Sequence, residues 1–173
     1  MQNPLCPMTA RSRPRSPLPD AMDHLKRLPE WPKGEGKCMA DAVRVERIIV
    51  RTGRLICDVR IEDAAVRMVV PALAQAAREA FPTLPYHSCV NEVGPTFSAV
   101  MDGTSVPHLI EHIAIDIQTR AADDPEATFV GTTEWLSEAG GRARIELSFV
   151  DDLQAMRAFN QAVSFVNEFC PSE

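Results

Sequence analysis

The chain has 173 residues, 45% hydrophobic and 24% charged, ordinary proportions for one globular domain with a core large enough to fold alone. Its net charge of −6 excludes a general nucleic-acid binder, which needs a basic face to displace counterions. No apolar run reaches the roughly 18 residues of a membrane helix, and no apolar stretch follows Arg11, Arg13 and Arg15, so neither a membrane span nor a secretory signal is expected.

Residues 1–38 read as a disordered Pro-rich tail. Pro4, Pro7, Pro14, Pro17, Pro19, Pro29 and Pro32 interrupt every candidate helix, and apolar periodicity is absent. Lys33-Gly-Glu-Gly-Lys37 is a linker signal. The tail is either a genuine arm or the product of a start site assigned too early. One folded domain is expected over residues 39–170.

Within that domain the spacing predicts strands and helices in turn. Val43–Val50 alternates imperfectly between apolar residues and Arg or Glu. Thr52-Gly53 then turns the chain, and Leu55, Cys57, Val59 and Ile61 alternate with charged residues, which makes a β-hairpin. A helix is expected from about Ala64 to Phe81, with Pro71 either kinking it or starting a second helix. Residues 82–104 are loop-rich, punctuated by Pro82, Pro85, Gly94, Pro95 and Gly103. A helix over Ser105–Ala121 has Thr104 or Ser105 as N-cap and Pro107 in its first turn.

A strand over Ala127–Trp135, a turn at Gly140-Gly141 and a strand over Arg142–Val150 form a second hairpin. Asp151-Asp152 caps a last helix reaching Phe169, with Leu153, Met156, Phe159, Val163 and Val166 on its buried side. The order β-β-α, loop, α-β-β-α predicts an α+β two-layer sandwich: one antiparallel sheet from two β-hairpins, with helices packed on one face. A flat sheet over a modest core also leaves a homodimer open.

The five cysteines, Cys6, Cys38, Cys57, Cys89 and Cys170, are odd in number, widely spaced and contain no CxxC pair. A zinc ribbon or thioredoxin-type motif is not expected, and a reducing cytoplasm is the simplest setting.

One motif can carry chemistry. His108 and His112 lie four residues apart, one turn apart on one helix face, so both imidazoles can reach one metal ion. Glu111 flanks them and can take a proton from a water that zinc has acidified. This His-x-x-Glu-His order is the inverzincin arrangement. The competing reading makes both histidines the polar side of an amphipathic helix whose core side is Leu109, Ile113, Ile115 and Ile117.

A zinc site needs a third protein ligand. Asp116 lies eight residues beyond His108, about 12 Å along the axis, and is better placed to accept a hydrogen bond from His112 and fix its tautomer. Glu146, on the last strand, is the expected third ligand, with His87, Glu92 and Glu134 also open. Glu146 serves only if the metal end of the helix lies near the polar face or edge of that strand.

The stretch Phe81-Pro-Thr-Leu-Pro-Tyr-His-Ser-Cys89, then Phe97, Gly103-Thr104 and His108-Leu-Ile-Glu-His-Ile-Ala-Ile-Asp-Ile-Gln118, resembles the N-terminal domain of cyanophycin synthetases. Those enzymes make a polymer of aspartate backbone with arginine side chains. The resemblance spans about residues 43–169 and is strongest over 81–118. It implies that His108, Glu111 and His112 match the family's metallopeptidase-like site. In some members that domain clips the polymer into primers; in others it is a scaffold or polymer anchor. Departures are Val90 for a Ser, Pro95-Thr96 for a Gly-Gly, and Asp116 for a Glu. At this length the ATP-using domains are not expected, and no Gly-rich phosphate loop occurs.

Three functions follow. The first is a zinc-dependent hydrolase of amide bonds in a peptide or polyamide-like substrate, with His108, His112 and Glu146 as ligands and Glu111 as base. The second is a non-catalytic binding or assembly module with a vestigial or structural metal site. The third is a metal-dependent lyase or isomerase of the kind that adds a downstream Cys ligand, for which only Cys170 is available.

Overall fold

The structure of the protein, a computed structural model, describes residues 41–169. The tail expected over 1–38, its linker and Cys170 lie outside those residues. Two hairpins, β1 (Arg44–Arg51) with β2 (Arg54–Arg60) and β3 (Gly131–Ser137) with β4 (Arg142–Ser148), join through β2 and β4 into one antiparallel sheet of order β1-β2-β4-β3. Three helices complete the domain: α1 (Pro71–Ala80), α2 (Val106–Ala121) and α3 (Asp152–Glu168). The expected two-layer α+β sandwich is the observed fold.

Period-two alternation builds the core. Leu55, Cys57 and Val59 of β2 stand opposite Leu147, Ile145 and Ala143 of β4, and all six are buried. Leu109, Ile110, Ile113 and Ala114 of α2 and Ala158, Phe159, Ala162 and Val166 of α3 cover that face. Asp151 caps α3 by accepting from the Gln154 amide at 2.7 Å. Phe81, just past α1, meets Phe165 of α3 edge to face at 5.2 Å.

Two element boundaries differ from the sequence reading. The helix expected over 64–81 is a single 3-10 turn, Ala64–Val66, followed by extended chain and then α1 with Pro71 in its first turn. Proline has no amide to donate and its ring clashes with the carbonyl four residues back. That carbonyl, on Arg67, accepts from the Val106 amide at 2.8 Å instead, tying this segment to the start of α2. The strand expected over 127–135 is shifted to Gly131–Ser137. The Val130 amide donates to the Ser148 side chain rather than to a backbone carbonyl, so the full ladder begins one residue later.

The sheet face away from the helices is lined by arginine: Arg44, Arg47, Arg54, Arg60, Arg142 and Arg144 all fall out of phase with the core residues. Asp58 lies among them, only 2% exposed. It accepts from Arg47 at 2.6 and 2.9 Å and from Arg144 at 2.8 and 3.2 Å. These bonds, those of Arg144 foremost, hold its carboxyl below the ordinary aspartate value. An unfolded aspartate titrates near about 3.9. Asp58 therefore stabilises the fold fully above about pH 4 and loses that contribution as the pH falls through its lower folded value. Asp58→Asn is expected to cost about 2 kcal/mol at neutral pH, with the gap to wild type closing below about pH 4. Denaturant titrations at the two pH values measure both.

Candidate metal centre

α2 starts where Pro107 sits in the first turn and the Leu109 amide bonds the Ser105 carbonyl at 3.1 Å. His108 and His112 then project from one face, ring centroids 4.9 Å apart. Beneath them lies Phe97, stacked on His112 at 3.9 Å and edge-on to His108 at 5.2 Å. The loop before α2 folds back on itself: Phe97 donates to the His87 carbonyl at 2.8 Å and Cys89 to that of Pro95 at 3.2 Å. Asn91 bonds the amides of Val93 and Gly94 and fixes the turn between.

This fold-back brings Cys89 to the helix. Its Sγ lies 3.5 Å from His108 Nε2. Donor atoms of Cys89, His108 and His112 all lie within 4.8 Å of one another. A thiolate and two imidazoles are a donor set that suits zinc.

The second nitrogen of each imidazole is already engaged. His108 Nδ1 pairs with Thr104 Oγ1 at 2.8 Å. His112 Nδ1 pairs with His87 Nδ1 at 3.4 Å, and His87 Nε2 reaches the Asp116 carboxylate at 3.2 Å. Asp116 is held by Thr83 and by Arg120, the latter at 2.6 Å. A carboxylate accepts, so His87 Nε2 carries a proton toward Asp116. Both Nδ1 atoms are thus held by neighbours, and His108 Nε2 is the atom that faces Cys89. Burial lowers the pKa of both imidazoles, that of His112 to about 3 with added repulsion from His108 and His87. Each is neutral at physiological pH, the form that ligates metal.

Glu111 projects from the same helix toward β3 and is 5% exposed. Its Oε2 accepts from Thr133 Oγ1 at 2.6 Å. Burial raises its pKa against that bond. Gly131 makes room for it: a Cβ there would lie 2.7 Å from Glu111 Cγ.

The sequence reading placed His108, His112 and Glu111 together, and they are together. Glu146 is not with them. It pairs in register with Thr132 and Ile56, faces the outer side of the sheet and binds Arg54 at 3.2 Å. The potential donors that the structure brings together are Cys89, His108 and His112, with Cys89 where Glu146 was expected. Glu134 is exposed opposite Arg144, and Glu92 is exposed in the loop beyond Cys89. His87 supports His112 from outside the donor triangle, and Asp116 acts on His112 through His87 rather than directly. No helical or strand period joins Cys89 to His108 and His112 across the loop between them.

A two-layer α+β domain with a thiol, two neutral imidazoles and a buried carboxylate at one end of its sheet is the class that fold and site define. Residues 55–171 match the family model described as the Cyanophycin synthase-like N-terminal domain, and the chain belongs to that family. No curated protein matches it.

Proposed function

We propose that the domain is a zinc-dependent hydrolase of amide bonds in a peptide or polyamide substrate, built on an inverzincin-like His-x-x-Glu-His helix. The observation that carries this reading is the convergence of Cys89, His108 and His112 beside buried Glu111. A zinc ion held by the three donors would polarise an amide carbonyl and acidify a water. Oε2 of Glu111 is committed to Thr133, so Oε1 takes the proton from the attacking water as the new C–O bond forms. The same carboxyl returns the proton to the amine nitrogen as the C–N bond breaks. Its raised pKa suits a group that works in both protonation states.

No helix among the described residues is long and apolar enough to cross a membrane. Cys57 and Cys89 are free, and a reducing compartment such as the cytoplasm would keep Cys89 available as a ligand.

Metal content tests the reading. The full chain incubated with zinc and desalted is expected to retain one equivalent. Cys89→Ala and His112→Ala are each expected to lower affinity by more than the roughly 100-fold that loss of an outer-shell partner costs. A wild-type chain that holds no metal overturns the proposal. Bound metal with no cleavage of any amide substrate points instead to a binding or assembly module with a structural site.

A further inference from the structure

The groove beside the donor triangle encloses about 860 Å³. Its long wall is the start of β3 and the residues leading into it, from Ala127 through Thr133 with Trp135. Among the described residues β3 is an edge strand, paired with β4 alone. The Ser148 amide bonds the Val130 carbonyl at 2.8 Å. In an antiparallel ladder the mutually bonded pairs alternate with unbonded ones. Counted from that bond, Val130, Thr132 and Glu134 turn their main-chain groups toward β4. Gly131, Thr133 and Trp135 turn theirs outward, to the free edge. Three donor–acceptor sets thus line the rim of the groove over about 14 Å, at about 3.4 Å per residue.

The second observation is electrical. Apart from its three imidazoles, the groove is lined by one ionisable carboxyl, Glu111, which the hydrolytic reading consumes. The other lining groups are Ser, Thr, Cys and apolar side chains such as Ile115, Phe129 and Val130. Glu134, between Thr133 and Trp135, is exposed opposite Arg144, and Asp124 and Glu126 are exposed in the chain before the wall. Among the described residues that line the wall none carries a carboxyl, and a charge buried against it without a partner is costly. A family resemblance that implies an arginine-decorated polymer is not matched by this lining.

We infer that the groove takes an extended peptide as an added strand on the free edge of β3, with uncharged side chains at the positions that point into it. Main-chain bonds to Gly131, Thr133 and Trp135 supply affinity, and the uncharged wall supplies selectivity. The inference names the substrate class for the hydrolase proposed above and rests on that reading for cleavage, though not for binding.

Both halves predict a period of two, and binding can be read without turnover. The probe is a short fluorescent peptide of alanine, valine, threonine and glutamine, titrated by anisotropy into the zinc-incubated full-length Glu111→Gln chain. Single N-methylation along the probe is expected to weaken binding by about tenfold at alternate residues, the loss of one hydrogen bond, and by less than about twofold between them. Single arginine substitutions are expected to show the same alternation, weakening binding where the side chain points inward. No measurable binding, no alternation, or tighter binding of arginine peptides overturns the inference. Wild-type chain that cleaves such peptides without alternation sinks this inference alone. Alternating binding to a chain that retains no zinc sinks the hydrolase reading alone.

Discussion

Glu111→Gln is expected to lower the rate of amide hydrolysis by about 10²–10⁴-fold while leaving zinc content unchanged. Glutamine has the shape of the carboxyl and still offers an oxygen to Thr133 Oγ1, 2.6 Å away in the native site. It removes the capacity to take and return a proton. Because burial already disfavours the charged form of Glu111, a neutral replacement leaves the melting temperature unchanged or higher. Turnover, metal content and a thermal melt on the same preparation separate these effects. A rate within a few-fold of wild type would remove Glu111 from the chemistry, and a loss of zinc would make it a structural support for the donors.

Gly131→Ala is expected to cost about 100-fold in rate and about 1–2 kcal/mol in stability. The new Cβ would stand 2.7 Å from Glu111 Cγ, 2.9 Å from Oε1 and 3.0 Å from Cδ. Glu111 is buried and bonded to Thr133, so moving it costs about 1–2 kcal/mol, which alanine's better fit to a strand offsets in part, and the fold survives the change. The chemistry does not, because a catalytic group displaced by about 1 Å loses on the order of 100-fold. Rate and denaturant midpoint measured together test this. Collapse of both would show that Gly131 serves packing rather than the placement of one carboxylate.

Much of the fold is written in periods. Leu55, Cys57 and Val59 and again Ala143, Ile145 and Leu147 alternate cleanly because one side of each strand is buried. His108 and His112 were legible for the same reason: a helical repeat of 3.6 puts residues four apart on one face. The thiol that joins them was not legible. Cys89 lies in a loop whose position depends on the Ser88–Thr96 bridge and on the Asn91 turn, contacts that leave no repeat in the sequence. Glu146 shows the opposite case. The alternation that buries Ile145 and Leu147 already turned it to the outer face, and the strand pairing leaves it there. Asp116 is one helical turn beyond His112, yet His87 stands between them. Only the loop fold-back inserts that ring.

The two rims of the sheet are unequal. Among the described residues β1 is the other edge, and its charged side chains Arg44, Glu46, Arg47 and Arg51 discourage a foreign strand from pairing there. Along β3 the run from Gly131 to Thr133 carries no charge at all. A sheet more heavily charged on one margin than on the other would admit a visiting backbone more readily at the second, beside Cys89, His108 and His112.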